Sequence, residues 1–109
     1  MLWLFCFSMY YLYILHSITT GVYYVGSSGD AYARLVQHNN SDRDTYTSKH
    51  RPWQLVALFA AGATRSEAVV AENFIKKQRS KKLIEKLIDP DFVPTGTLAQ
   101  LVRVPHVRD

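Results

Sequence analysis

Cysteine is almost missing from this chain. Cys6 stands alone among 109 residues, which excludes an internal disulfide and a cysteine-based zinc site. That usage fits a reducing cytoplasm and no disulfide-linked partner. Long apolar runs are missing too. Residues 2–15 fall short of the roughly 20 that a membrane-spanning helix needs, and Tyr10, Tyr11 and Tyr13 interrupt them. No membrane partner is expected. Residues 1–8 lack both the basic start and the small-residue cleavage site of a secretory signal, and cleavage near residue 20 would remove Tyr13. Met9 is the expected start, with residues 1–8 an upstream extension. No internal repeat, zinc-finger spacing or helix-turn-helix pattern is readable.

What remains fits one domain. The chain is 48% hydrophobic, enough for a modest core but not for two. Its formal charge is +4 and its pI about 9.3, which permits a polyanionic partner. The charge is unevenly placed. Lys76, Lys77, Arg79, Lys81, Lys82 and Lys86 crowd one stretch, opposed there only by Glu85.

Two strand-like runs, residues 10–16 and 21–26, flank the short polar segment 17–20, which suits a hairpin connection. Closure on His16 and Gly21 sets Tyr13 directly opposite Tyr24, with side chains roughly 5 Å apart on one sheet face. Ser28 or Asp30 then caps a helix over residues 31–38, ending near Asn39 and Asn40. Residues 39–51 read as a mobile polar loop. Pro52 precedes an apolar run, 53–60, that suits a central strand buried on both faces. Thr64 to Glu67 fits a capping box, opening a helix to about Gln78, and a second amphipathic helix is expected over residues 80–88. Asp89-Pro90 stops it.

The order β-β-α-β-α-α predicts an α+β fold: a small three-stranded antiparallel or mixed sheet flanked by helices. The domain spans residues 9–88. Residues 89–109 read as a disordered or loosely attached tail, whose end, from Ala99, resembles peptides made when a reading frame runs into a transfer-RNA gene.

Arg34 and His38 share one face of the first helix, with Asp30 a turn earlier. Glu72 lies at the border of an apolar arc, where a carboxylate needs a cation, a metal or hydrogen-bond donors. Tyrosines, an arginine, a histidine and one carboxylate suit phosphodiester hydrolysis. Arginine binds the phosphate and stabilises charge growing in the transition state. Glutamate holds one hydrated divalent cation, Mg²⁺ or Mn²⁺. A tyrosine takes the proton of the attacking water, provided its pKa is lowered or a metal shares the work. Each residue also has an ordinary structural reading. A strand tyrosine is mostly packing, Arg34 with Asp30 a weak surface pair, and His38 a complement to the helix dipole. Glu72 then only pairs with Lys76, and the Lys76–Lys86 stretch is a solvated face.

Over roughly Tyr10 to Ile88 the chain resembles the GIY-YIG nuclease superfamily, particularly its small stand-alone bacterial members, and is similar to the catalytic domain of the excision-repair endonuclease subunit. The resemblance is carried by Tyr11-Leu12-Tyr13 and Tyr24-Val25-Gly26, separated by ten residues. Ser27-Ser28-Gly29-Asp30, Arg34-Leu35 and His38-Asn39 follow in matching order, then Arg51-Pro52-Trp53, Ser66-Glu67-Ala68, Glu72 and Lys76-Lys77. The departure is Tyr11-Leu12 in place of Gly-Ile, and a late asparagine of some members has no match, since Asn73 faces elsewhere.

The resemblance implies a metal-dependent DNA endonuclease, structure- rather than sequence-selective, acting on branched or single-stranded DNA. Tyr13 is then the general base or water-positioning group, with Tyr24 beside it. Arg34 stabilises the phosphate, His38 assists proton transfer, and Glu72 holds the metal. Lys49, Arg51, Lys76, Lys77 and Lys81 contact the nucleic acid. The alternative is a non-catalytic nucleic-acid-binding module of the same fold, working through its basic helices.

Overall fold

Alternation along one strand organises the whole molecule. In β1 (Tyr10–Ser17), Leu12 and Ile14 enter one buried cluster while Tyr13 and Leu15 enter another, as a side-chain period of two requires. A strand buried on both faces belongs in the middle of a sheet. In the computed structural model, which describes residues 9–40 and 46–105, β1 pairs antiparallel with β2 (Tyr23–Ser28) and with β3 (Trp53–Gly62). The expected extension 1–8 lies outside the described residues, as do 41–45 and the end from 106.

The sheet has four strands in the order β2-β1-β3-β4, one more than the pattern predicted. The α+β architecture is otherwise as expected. Helix α1 (Ala31–Asn40) covers the Tyr13/Leu15 face. A single turn, α2 (Tyr46–Lys49), lies in the segment expected as a loop. Helices α3 (Arg65–Gln78) and α4 (Lys81–Ile88) cover the Leu12/Ile14 face through Ala68, Ala71, Ile75 and Leu87. The caps follow their residue types. Thr64 and Glu67 close the reciprocal capping box of α3, Ser80 Oγ accepts from Leu83 N–H at 3.1 Å, and Asp30 Oδ1 accepts from Ala33 N–H at 3.0 Å.

The odd-numbered residues of β3 divide between the two clusters because the strand carries a bulge. Ile14 pairs with Ala57 but Leu15 with Leu55, so Val56 is the extra residue. Trp53 and Leu55 therefore face α1, whereas Ala57, Phe59 and Ala61 face α3.

Two sequence expectations are corrected. The first concerns hairpin register: Tyr13 pairs with Gly26, and Tyr24 with Leu15. The loop closes at Ser17, whose N–H donates to Val22 O at 2.9 Å and whose carbonyl accepts from Gly21 N–H at 2.9 Å. Gly21 takes φ 78°, a conformation that suits glycine. The register differs by two residues, and a two-residue slip keeps every side chain on its face. The second concerns the segment after Ile88, which is not a loose tail as far as Pro105. A 3-10 turn (Gly96–Leu98) and β4 (Val102–Arg103) return along β3. Leu98 and Leu101 are buried in the α3-side cluster, and one Arg103 Nη donates to the carbonyls of Asp89 and Phe92 at 2.8 and 3.2 Å.

Candidate active site

Tyr13 lies at the centre of the α1-side cluster, fully buried. Its hydroxyl and His38 Nε2 are 3.1 Å apart. Burial pushes the phenol pKa above 10, and the neighbouring Arg34 guanidinium pulls against that shift. Arg34 interacts with Tyr13 and is held still more firmly in its charged form. An arginine offers donors only. The guanidinium beside the phenol favours its oxygen as an acceptor, and the Tyr13 hydroxyl lies within hydrogen-bond distance of His38 Nε2.

His38 is buried, and burial together with the charges of Arg34 and Arg51 lowers its pKa to about 4. It is a neutral acceptor throughout the physiological range. Arg51 Nε also donates to the His38 carbonyl at 2.7 Å, and Asn39 fixes the next residue. Its Nδ2 donates to Trp53 O at 3.1 Å while its Oδ1 accepts from Trp53 N–H at 2.6 Å. This two-way amide clamp ties the end of α1 to the start of β3.

Tyr24 completes the group on the α1 side. Its ring centroid lies 6.4 Å from that of Tyr13 and 4.9 Å from that of His38. The closeness survives the register correction because both residues keep one face. The other expected arrangement, Arg34 paired with Asp30, does not form. Asp30 caps α1, and Arg34 Nη1 donates to Gln37 Oε1 at 2.7 Å. Its Nε is buried without a hydrogen-bond partner.

Glu72 approaches from the other helical layer. It projects from α3, on the opposite side of the sheet from α1, and reaches the edge strand β2. Ser27 Oγ donates to its Oε1 at 2.5 Å, and Lys76 Nζ binds its Oε2 at 2.5 Å. Lys76 in turn lies 5.6 Å from the Tyr24 ring centroid, within cation–π range. The site thus straddles the β2 edge, with tyrosines, arginine and histidine on one side and the carboxylate on the other. The Glu72–Lys76 ion pair, which is the ordinary structural reading of this carboxylate, is present.

Among the described residues no group of three or more His, Cys, Asp or Glu is arranged to hold a metal. An ion here would have one protein carboxylate. That donor set fits Mg²⁺, a hard cation that keeps several waters and takes further oxygens from substrate phosphate. Glu72 would be the residue to hold such an ion, with Lys76 giving up Oε2. The Lys76 side chain is half exposed on a flexible stem, so that exchange is unobstructed.

The basic residues separate by environment. Lys49, Lys77 and Lys81 are exposed. Arg51 is turned inward onto α1, and Lys76 is engaged by Glu72.

Sequence reasoning missed the parts played by Gly26, Ser27, Asn39 and Arg51. A Cβ at Gly26 would overlap the Tyr13 hydroxyl and Cζ, so the glycine makes room for the phenol. The signal was available: Gly26 stands two residues after Tyr24 in a strand, hence on the same face.

Tyrosines and a helix-borne Arg–His pair on one side of a sheet edge, with a carboxylate on the other, are residue types that suit phosphodiester chemistry. The chain belongs to the GIY-YIG family of nuclease catalytic domains: the GIY-YIG catalytic domain matches residues 9–85. It is 37% identical over 82 residues to UPF0213 protein SSP2268 of Staphylococcus saprophyticus, a match covering 71% of this chain and 95% of that protein. That relative's name states no activity. Among the described residues no helix is long and apolar enough to cross a membrane.

Proposed function

We propose that this chain is a divalent-metal-dependent DNA endonuclease, selective for substrate structure rather than sequence, with its chemistry at Tyr13, Tyr24, Arg34, His38 and Glu72. The observation that carries the reading is the Tyr13 hydroxyl held 3.1 Å from a neutral His38 Nε2 beside the Arg34 guanidinium. A buried phenol does not ionise at neutral pH unaided. It can, however, take a proton from water while passing its own to a neighbouring acceptor.

In the proposed step, the water oxygen forms a bond to phosphorus and the bond to the leaving oxygen breaks. Once binding admits a water to the buried Tyr13 hydroxyl, the water proton goes to Tyr13, the Tyr13 proton goes to His38 Nε2, and the leaving oxygen takes a proton from solvent. Arg34 stabilises the negative charge on the phosphoryl oxygens. Phosphate bound at Arg34 offsets part of the positive charge that depresses His38, so substrate raises the basicity of the proton acceptor when it is needed. Mg²⁺ or Mn²⁺ on Glu72 supplies charge neutralisation at the phosphate. Tyr24 packs beside Tyr13 and His38 and keeps that side of the site aromatic.

The test is a cleavage panel of single-stranded, duplex, flap and branched DNA with Mg²⁺ or Mn²⁺. Wild type cuts at least one substrate, and Tyr13→Phe and Glu72→Ala lose about 100-fold or more. Full activity in either variant overturns the reading. The second reading, a binding module without catalysis, draws on Lys76 occupying Glu72. Under it, charge reversal at Lys77 and Lys81 abolishes binding while Glu72→Ala changes nothing.

A further inference from the structure

A groove with a volume of about 510 Å³ runs beside the site, between the β1–β2 loop with the edge strand β2 and the α3–α4 junction. Its walls are of two kinds. Lys76, Arg79 and Lys81 supply cations, while Val22, Tyr23 and Ile84 supply apolar and aromatic surface. Tyr24 and Lys76 belong both to this groove and to the candidate site, so the groove opens directly onto the chemistry. Arg79 and Lys81 are exposed.

We propose that this groove seats a single strand of nucleic acid next to the phosphate to be cut, with phosphates on Arg79 and Lys81 and an unstacked base against Tyr23. The proposal rests on the nuclease reading and adds the form of the substrate. A duplex presents phosphates outward and keeps its bases stacked inside. It would use the cations of the groove and leave the apolar wall without a partner. A single strand offers both a backbone charge and a free aromatic face, which is the pairing that basic, aromatic-lined channels exploit. The Tyr23 ring is already steadied, with its centroid 4.9 Å from that of His16, so stacking a base on it orders little that is still free.

The experiment measures binding of a fluorescent oligothymidylate and of a mixed-sequence duplex to the full chain, in chelator so that neither is cut. Arg79→Gln/Lys81→Gln weakens oligothymidylate binding about tenfold or more. It also lowers the steepness of the log Kd against log salt plot by about 1.4, the share of two single-strand phosphates. Tyr23→Ala weakens single-strand binding about fivefold or more, and Tyr23→Leu, which keeps bulk without a π-face, does not restore it. Duplex binding is unaffected by either Tyr23 variant. Equal loss for duplex and single strand in the Tyr23 variants, or no loss with Arg79→Gln/Lys81→Gln, overturns the proposal. Circular dichroism of each variant excludes unfolding as the cause. Because binding is read without divalent ions, a catalytically inert chain still reports on the groove. An active chain with an indifferent groove sinks this inference alone.

Discussion

Gly26 and Tyr13 are direct partners across the β1–β2 ladder, and the phenol occupies the space that a side chain at position 26 would take. Gly26→Ala therefore acts on the site more than on the fold. Relief of the overlap moves Tyr13 away from His38, at a stability cost of about 1–3 kcal/mol for an overpacked position. Nuclease activity is expected to fall at least as far as in Tyr13→Phe, while the thermal unfolding transition stays cooperative. Undiminished cleavage by Gly26→Ala would separate this contact from catalysis.

The depressed basicity of His38 has a stability signature. In the unfolded chain the imidazole titrates near 6.5, and in the folded protein at about 4. Between those values the unfolded state binds more protons, so stability falls as pH drops through that window and levels off below it. At ~1.4 kcal/mol per pKa unit the effect is on the order of 3 kcal/mol. Urea denaturation of wild type and His38→Gln from pH 7.5 to 4 should give curves that diverge by that amount. Parallel curves would place the titration elsewhere.

In the proposed site Lys76, which binds Glu72 Oε2, would compete with a divalent cation for that oxygen. Lys76→Met frees that oxygen, and Mg²⁺ or Mn²⁺ binding measured by calorimetry should tighten several-fold, while Glu72→Gln abolishes it. The gain should shrink as salt screens the ion pair in the wild type. Weaker metal binding in Lys76→Met would mean that the ammonium helps to build the site.

Leu101 lies beyond the part of the chain that its pattern assigns to the domain, yet it is buried in the core beside Leu98. Leu101→Ala should cost about 2–4 kcal/mol, the range of a buried leucine truncation. An exposed control such as Val102→Ala should change stability by well under 1 kcal/mol. A silent Leu101→Ala would return this segment to the status of an appendage.

What the sequence disclosed and what it hid follow from the reach of each signal. The capping box at Thr64 and Glu67 and the Asp89-Pro90 stop are local, and the helices begin and end where those signals stand. Tyr13 and Tyr24 come together as expected although their register differs, because a two-residue slip leaves a period of two intact. The segment from Phe92 to Pro105 was misread because a 3-10 turn and a two-residue strand are too short to show any period. Leu98 and Leu101 are its buried anchors, with Phe92 and Val104 packed against the clusters, and apolar residues scattered without a period do not announce a core. Ser27 and Asn39 were hidden for a different reason. Their partners, Glu72 and Trp53, are distant in sequence, and nothing local distinguishes them from a turn serine and a helix-end asparagine.

The amide clamp between Asn39 and Trp53 has a kinetic consequence. Asp30 secures the opening turn of α1, and the clamp secures its far end on β3. A helix fastened at both ends acts as a fixed ruler, so Arg34 and His38 keep one spacing whether or not anything is bound. Under the proposed function, a substrate would meet a template already in place. The freedom to adjust would lie across the β2 edge, in the half-exposed lysine that shares Glu72.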